Sequence, residues 1–378
     1  MICKISMENP FKNLFGKKDT SALGIDIGSS SIKVVQLRKK GGKAVLETYG
    51  ELALGPYAGV EIGQSTSLST DKIVEALSDL MKEKEVNITT KNCGVAIPFA
   101  SSLMTVIEMP ALSYKQLGAM IPLEARKYIP VPISEVTLDW SIIPKEQKRV
   151  DEDEDNKKDA PKMEYADVLL VAIHNETISK YTDIVRKTGL ESSFFEIEIF
   201  STMRSVLDQN TAPILILDMG ASTTKLYIVE RGTVHTSHTI NRGSQDVTNT
   251  IAKSLGISVH DAELMKRGIG IELEKEENLK NIVSLVLSYI FSEANQVILN
   301  YQRKYDKALS KIVLVGGGSA LKGIAELAQA NFQIDVVAGN PFMKTETPAF
   351  LEKVLRDTGP EFAVAVGLAL RKLSEDNA

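Results

Sequence analysis

Apolar and polar positions alternate along this chain in two rhythms, one typical of helices and one of strands. Apolar residues spaced three and four apart predict helices over about 71–83 and 281–305. The apolar stripe of the first helix comprises Ile73, Ala76, Leu77, Leu80 and Met81, and that of the second comprises Val286, Ile290, Ala294, Val297 and Tyr301. Alternating or continuous apolar runs predict strands near 44–52, 94–97, 103–108, 136–143 and 166–173. The mixture predicts an α/β fold, and a length of 378 residues predicts two or three lobes.

One short pattern occurs twice, far apart in the chain. The first copy reads GIDIGSSSIK from Gly24 to Lys33, and the second reads LDMGASTTK from Leu217 to Lys225. Five positions match at one offset, namely Asp26 with Asp218, Gly28 with Gly220, Ser30 with Ser222, Ser31 with Thr223 and Lys33 with Lys225. An apolar strand precedes and follows each copy, so each predicts a β-hairpin with glycine, hydroxyls and a carboxylate near its tip. A single copy would be an ordinary turn, whereas two matched copies favour a repeated functional element.

The groups at these two tips favour the binding of phosphate. Glycine lets backbone amides approach an anion, and consecutive turn amides form a concave anion site. The residues predicted to cradle phosphates are Gly28, Ser29, Ser30, Ser31, Gly220, Ala221, Ser222 and Thr223. Asp26 and Asp218 would repel each other at close range unless a cation lay between them. A Mg²⁺ ion that bridges phosphate oxygens and is held largely through water meets that need, so the pair predicts a two-sided clamp on a nucleotide with Mg²⁺.

Two further segments contain candidate ligand-binding residues. A buried-type strand at 311–315 leads into Gly316, Gly317 and Gly318, against which a flat ligand could lie, although such a run is also common in plain loops. Ser319 is the predicted cap of the helix that follows. No Gly-Lys-Ser/Thr follows these glycines, which excludes a P-loop.

The sequence does not decide whether three charged side chains contact a ligand or face solvent. Glu263 and Lys266 share one face of a predicted helix. They could grip ribose hydroxyls or form a surface ion pair. Lys33, in the strand after the first turn, could add positive charge near phosphates or point to solvent.

Composition and charge exclude several classes of function. A formal net charge of −5 and a pI near 5.6 argue against nonspecific binding of nucleic acid. The two cysteines, Cys3 and Cys93, cannot form a disulfide framework or a thiolate metal site, and they are consistent with a reducing compartment. No apolar run reaches the roughly 18–20 residues of a membrane-spanning helix. The acidic run at 151–155 lacks the glycine and the final glutamate of an EF-hand and predicts a mobile loop.

Taken in order, the two Asp-x-Gly hairpins, the Glu-x-x-Lys helix and the strand–Gly-Gly-Gly–helix segment resemble the actin-like ATPase superfamily. The hairpins are similar to its two phosphate motifs, and Gly316–Gly318 is similar to its adenosine motif. The resemblance extends over residues 23–373 and includes the closing segment 361–370, which is similar to the last helix of these proteins. It implies two lobes, each with a mixed sheet flanked by helices, and ATP with Mg²⁺ between them.

The segment EARKYIPVPISEVTLDW at 124–140 resembles the inserted subdomain of the PilM family of type IV pilus assembly proteins, which is related to FtsA. The leader FKNLFGKK at 11–18 is also similar. The resemblance implies a cytoplasmic protein at the inner face of the cytoplasmic membrane, without a transmembrane segment. It also implies docking of the cytoplasmic N-terminal tail of PilN, and through it of the inner-membrane pilus platform; weak self-association stays open.

The resemblance predicts the following division of the chain: a flexible tail at 1–20, lobe I at 21–206, lobe II at 207–355 and a C-terminal helix at 356–378 that returns to lobe I. Within lobe I, we expect the inserted subdomain at about 91–189 and a mobile charged loop at 145–164. Pro122 falls inside the helix predicted at 114–128, so we expect a kink or two short helices there.

In hydrolytic relatives, a Glu or Gln near the crossover between lobes positions the attacking water. The matching stretch here is FFEIEIFS at 194–201. The alignment register does not decide whether Glu196, Ile197 or Glu198 occupies the water-positioning place. Ile197 at that place would make hydrolysis very slow, and we expect at most weak ATPase activity.

Two alternative functions stay open. An FtsA-like filament former would polymerise with ATP, but 372–378 lacks the usual C-terminal amphipathic helix. A small-molecule kinase would need an acidic catalytic base, for which no residue stands out.

Overall fold

The computed structural model describes residues 20–143, 165–208, 211–269 and 277–375. The predicted N-terminal tail, apart from its last residue, and the charged loop at 145–164 lie outside the described residues. The strands are β1 (Ser21–Ile27), β2 (Ser31–Lys40), β3 (Lys43–Ala53), β4 (Asn92–Ile97), β5 (Ser102–Pro110), β6 (Val136–Ile143), β7 (Tyr165–His174), β8 (Glu191–Ile197), β9 (Ile214–Met219), β10 (Thr224–Glu230), β11 (Thr233–Ile240), β12 (Lys311–Val315), β13 (Val336–Ala338) and β14 (Thr345–Glu346).

The α-helices are α1 (Thr70–Lys82), α2 (Tyr114–Glu124), α3 (Asn175–Lys187), α4 (Glu198–Val206), α5 (Ser244–Leu255), α6 (Val259–Ile269), α7 (Glu277–Tyr305), α8 (Ile324–Asn331), α9 (Glu352–Thr358) and α10 (Ala363–Glu375). The two helices predicted from apolar spacing are α1 and α7, and both are confirmed. In the parts of the chain that the structure describes, no helix has both the length and the apolar character needed to cross a bilayer.

The two large sheets follow the same plan. In lobe I the strand order is β14-β3-β2-β1-β4-β8, and in lobe II it is β11-β10-β9-β12-β13. Each sheet contains an antiparallel run of three consecutive strands, β1–β3 or β9–β11, and continues with parallel strands beside the first of them. The predicted pair of lobes with mixed sheets is therefore confirmed, and the repeated sequence pattern lies at equivalent places in the two lobes.

Apolar side chains alternate between the two faces of the lobe I sheet. Leu23 and Ile25 of β1 pack in the main core with α1 and α3, whereas Ala22 faces a second cluster with Ala365 of α10. Gly24 lies on the α10 side, where a β-carbon would be 1.8 Å from the carbonyl oxygen of Ala365. The last helix therefore packs directly against the backbone of β1, and this contact fixes the strand that leads into the first hairpin turn.

A separate three-stranded antiparallel sheet, β5-β7-β6, is inserted in lobe I and has its own core with α2. This sheet occupies less of the chain than the predicted range of 91–189. β4 pairs with β1 and β8 in the large sheet, and Ile184 of α3 packs in the main core. The return to lobe I also comes earlier than residue 356, because β14 pairs with β3 and Phe342 packs with α10.

Two local predictions have different outcomes. Pro122 lies inside α2, which ends two residues later and passes into a 3₁₀ turn at Ala125–Lys127, so the expected break takes this form. The prediction that Ser319 caps a helix is wrong. Its hydroxyl donates to the carbonyl of Gly316 at 2.7 Å, and α8 begins only after Gly323, whose φ is +80°.

Candidate functional site

The two Asp-x-Gly segments form hairpins with the same internal geometry. Asp26 pairs with Lys33 across β1 and β2, and Asp218 pairs with Lys225 across β9 and β10. The same backbone bond closes each turn at 3.0 Å, from the amide of Gly28 to the carbonyl of Ser31 and from the amide of Gly220 to the carbonyl of Thr223. A β-carbon would lie 3.0 Å from that carbonyl oxygen at Gly28 and 2.9 Å from it at Gly220, so both turns favour glycine.

The tips of the two hairpins meet between the lobes. The hydroxyl of Ser222 donates to that of Ser29 at 3.2 Å. Beside this contact lies a cavity of about 590 Å³, within the ~300–1,000 Å³ common for small-molecule sites. It is lined by these predicted residues: Asp26, Gly28, Ser29, Ser30, Ser31, Lys33, Asp218, Gly220, Ala221, Ser222, Thr223, Glu263, Lys266, Gly316, Gly317 and Gly318. The structure therefore brings residues from both hairpins and from both later segments to one cavity.

Lys33 points into this cavity rather than to solvent. Its ammonium lies 3.0 Å from a carboxylate oxygen of Glu51 on β3 and donates to the hydroxyl of Ser31 at 2.7 Å. Burial alone would lower the pKa of Lys33, but the carboxylates of Glu51, Glu361 and Asp26 raise it above its ordinary value. Lys33 is therefore a fixed positive charge beside the turn of the first hairpin.

Acidic side chains crowd the space between the hairpins. Burial, and then the charge of Glu198, raises the pKa of Asp26 to about 7, and Asp218 adds to this effect while Lys33 and Lys225 oppose it. Within the described residues, no group of three or more His, Cys, Asp or Glu side chains could hold a metal ion by itself. Mg²⁺ usually keeps several waters and binds one or two carboxylates together with substrate phosphates. The residues present therefore fit an ion that is held mainly through water.

The structure shows which of the two glutamates near the crossover faces the cavity. Glu198, the first residue of α4, lines the cavity, and its two carboxylate oxygens accept from the amide of Phe99 at 2.6 Å and the ammonium of Lys225 at 2.7 Å. Glu196 points elsewhere, and its buried carboxylate pairs with partly exposed Arg204 at 2.6 Å and with buried Arg371 at 2.8 Å. Glu196 is therefore a structural residue, and Glu198 is the acidic residue of this segment that faces the cavity.

Glu263 and Lys266 form an ion pair of 2.7 Å, but Glu263 is buried in the cavity wall and the side chain of Lys266 is largely buried beside it, so the pair does not lie on the surface. Thr248 donates to the same carboxylate at 2.7 Å and Arg267 at 2.8 Å. Burial favours a higher pKa for Glu263, but Lys266 and the hydrogen bonds from Arg267, Lys266 and Thr248 keep it below its ordinary value. Arg267, one helical turn after Glu263, was not predicted, although its spacing of four residues could have indicated it.

The three consecutive glycines have different surroundings. At Gly316, whose φ is +81°, a β-carbon would lie 2.4 Å from a carboxylate oxygen of Asp218, and at Gly318 it would lie 2.8 Å from the β-carbon of Met219. These two glycines let the end of β12 pack directly against the second hairpin. At Gly317, by contrast, the nearest atom to a β-carbon would be an oxygen of Glu361 at 3.5 Å. Glu361, which sequence reasoning did not single out, also lines the cavity, and burial raises its pKa.

Comparison with known proteins identifies related families. A family model described as type IV pilus assembly protein PilM matches residues 24–373. Among curated proteins, the cell division protein FtsA of Neisseria meningitidis serogroup B is 26% identical over 208 residues, which cover 49% of this chain and 49% of that protein. The chain spans about half the length of the curated relatives it matches.

Solved structures share the overall fold. A PilM-PilN type IV pilus biogenesis complex matches with a TM-score of 0.76 and 23% identity, over 94% of this chain and 99% of that chain. MreB 5 of Spiroplasma citri bound to AMPPNP matches with a TM-score of 0.52 and 13% identity, over 96% of this chain and 100% of that chain. These similarities show an actin-like ATPase fold.

Proposed function

Because this chain belongs to the PilM family of type IV pilus assembly proteins, we propose that it binds ATP with Mg²⁺ between its lobes and docks the cytoplasmic N-terminal tail of PilN. Through PilN it would act in the cytoplasm, at the inner face of the cytoplasmic membrane, as part of the pilus assembly platform. The observation that carries the nucleotide site is the contact between Ser29 and Ser222, which joins two equivalent hairpins beside one cavity.

Each wall of the cavity has a distinct role in this proposal. Backbone amides and hydroxyls of Gly28–Ser31 and Gly220–Thr223 would hold the phosphates, and Lys33 would add positive charge. Glu263 and Lys266 would hold the ribose, and Gly316–Gly318 would lie against the adenine. Mg²⁺, held through water by Asp26 and Asp218, would neutralise these carboxylates and the phosphates together.

The surroundings of Glu198 support a structural role for ATP rather than rapid hydrolysis. Both of its carboxylate oxygens are engaged, one by the Phe99 amide and the other by Lys225. A carboxylate held in this way is poorly placed to orient a water molecule as a general base. A ligand that contacts both hairpins would stabilise the closed lobes by mass action, and lobe closure could then set the shape of the PilN site.

The inserted sheet offers a surface suited to a protein partner. Tyr114, Leu123 and Tyr128, in and just after α2, are exposed, as is Ile142 of β6, and the ring of Tyr114 stacks on Trp140 with centroids 4.3 Å apart. Exposed aromatic and aliphatic side chains of this kind are typical of interaction sites. The solved PilM-PilN complex supports PilN as the partner that this surface would bind.

A pull-down with a synthetic peptide of the PilN N-terminal tail tests the proposal. We expect capture of the wild type, increased by ATP with Mg²⁺, and loss of capture in Leu123→Glu. In Asp218→Ala, capture should persist but no longer respond to ATP. Phe350→Glu is the matched control, because Phe350 is also apolar and exposed but lies in the 3₁₀ turn Ala349–Leu351, outside α2 and the inserted sheet. Equal capture of Leu123→Glu and the wild type would exclude this docking surface, and ATP-dependent sedimentation would favour an FtsA-like filament instead.

A further inference from the structure

Lys225 has an environment that the hairpin repeat alone does not explain. Its ammonium lies 2.7 Å from an oxygen of Glu198 and 3.3 Å from an oxygen of Asp218, and its side chain is largely buried. Asp26 lines the same cavity. A cation of the chain itself therefore lies among acids that come from β1, β9 and the first turn of α4.

The equivalent lysine of the first hairpin differs in this respect. Lys33 pairs with Glu51 on the neighbouring strand of its own sheet. Lys225 instead connects Asp218 of lobe II with Glu198 of lobe I, and Glu198 also holds the Phe99 amide just before the inserted sheet. The two hairpins have the same backbone geometry, but their lysines pair with carboxylates in different places.

We propose that Lys225 is a built-in counter-ion, which neutralises Asp218 and Glu198, beside Asp26, when no ligand is bound, as a water-held divalent cation would do together with phosphate groups. A fixed positive charge within about 3 Å of two carboxylates neutralises them and repels a second cation, and both effects are strong in a partly buried site. The ligand-free cleft should therefore bind Mg²⁺ poorly. Metal would enter together with phosphate groups, whose negative charges offset the repulsion between the metal and Lys225.

This inference depends on the proposed function for the nature of the ligand, but it can be tested without nucleotide. Mg²⁺ alone is titrated into the full chain by calorimetry, for the wild type and for Lys225→Ala. We expect no saturable binding by the wild type across the millimolar range, and binding tighter by on the order of tenfold or more in Lys225→Ala. Lys225→Arg keeps the charge and should behave as the wild type.

Lys266→Ala is the matched control, because the side chain of Lys266 is also largely buried and ion-paired in the same cavity but pairs with Glu263. An equal gain of Mg²⁺ binding in Lys266→Ala, or none in Lys225→Ala, would overturn the proposal. Saturable submillimolar binding by the wild type would overturn it even if Lys225→Ala does not fold. Failure of the proposed function is a separate result, since it appears as a lack of ATP binding in the presence of Mg²⁺.

Discussion

Replacing Asp26 by asparagine should stabilise the ligand-free protein although it alters the candidate site. Burial, followed by the charge of Glu198, raises the pKa of Asp26 from 3.8 to about 7, while Lys33 and Lys225 only partly offset this rise. Ionised Asp26 is therefore unfavourable in the fold. Asparagine has nearly the same shape and carries no charge, so the substitution removes this cost and leaves the packing in place.

The size of the effect follows from the two pKa values. In the unfolded chain Asp26 ionises near its ordinary pKa, whereas in the folded protein it keeps its proton up to about pH 7. Between these limits the folded state binds a proton that the unfolded state lacks, so the contribution of Asp26 to stability falls as the pH rises from about 4 to about 7 and is level above that. Because one pKa unit is worth about 1.4 kcal/mol, Asp26 costs the fold about 4 kcal/mol at pH 8 and about 2 kcal/mol at pH 5.

Urea unfolding of the ligand-free wild type and Asp26→Asn at these two pH values measures the difference. We expect the variant to be more stable at both, with an advantage that grows by about 2 kcal/mol at the higher pH. Asp71→Asn is the control of opposite sign, because a hydrogen bond from Lys187 lowers the pKa of Asp71 and its removal should not stabilise the fold. An advantage of Asp26→Asn that does not change with pH, or a variant less stable than the wild type at pH 8, would refute the reasoning.

Three further predictions concern the scaffold around the site. A β-carbon at Gly367 would lie 1.9 Å from a carbonyl oxygen of α4, so Gly367→Ala should lower the free energy of unfolding in urea by about 2 kcal/mol or more, whereas Gly268→Ala, with open space around it, should not. Glu196→Gln removes the buried carboxylate that pairs with both Arg204 and Arg371, leaving Arg371 only the more exposed Glu375, and should cost about 3 kcal/mol in the same assay; an unchanged midpoint would contradict this. Burial raises the pKa of Cys93 to about 12, so iodoacetamide should label it only after unfolding, as read by peptide mass spectrometry, and labelling of the folded protein would contradict its burial.

The sequence predicts the hairpins well because their turns depend on local chemistry. Glycine at the closing position and an apolar strand on each side are sufficient to define an Asp-x-Gly hairpin, and the second copy indicates that the pattern has a shared role. The ion-pair partner of Lys33, by contrast, could not be predicted from the sequence. The two-residue turn at Gly41 and Gly42 would by itself pair Lys33 with Gly50, but a bulge between Gln36 and Leu37 shifts the register by one residue. Only this shift places Glu51 opposite Lys33, and no pattern in the sequence predicts the bulge.

The two glutamates near the crossover illustrate a second limit. Glu196 and Glu198 are two residues apart, so they would face the same side if the strand continued. β8 ends at Ile197 and α4 begins at Glu198, and this change of backbone directs the two carboxylates to different surroundings. The position of such a boundary depends on the tertiary packing of α4 against α10, which a run of apolar and acidic residues does not reveal.

The most direct test of the account is a double-mutant cycle on the affinity for ATP with Mg²⁺, measured by calorimetry. The account holds that Asp26 and Asp218, one from each lobe, act on the same bound nucleotide. It predicts that Asp26→Ala and Asp218→Ala each weaken binding on the order of tenfold, and that the double variant loses less than the sum of the two effects in free energy. Affinity that is unchanged by either single substitution would contradict a shared nucleotide site between the lobes.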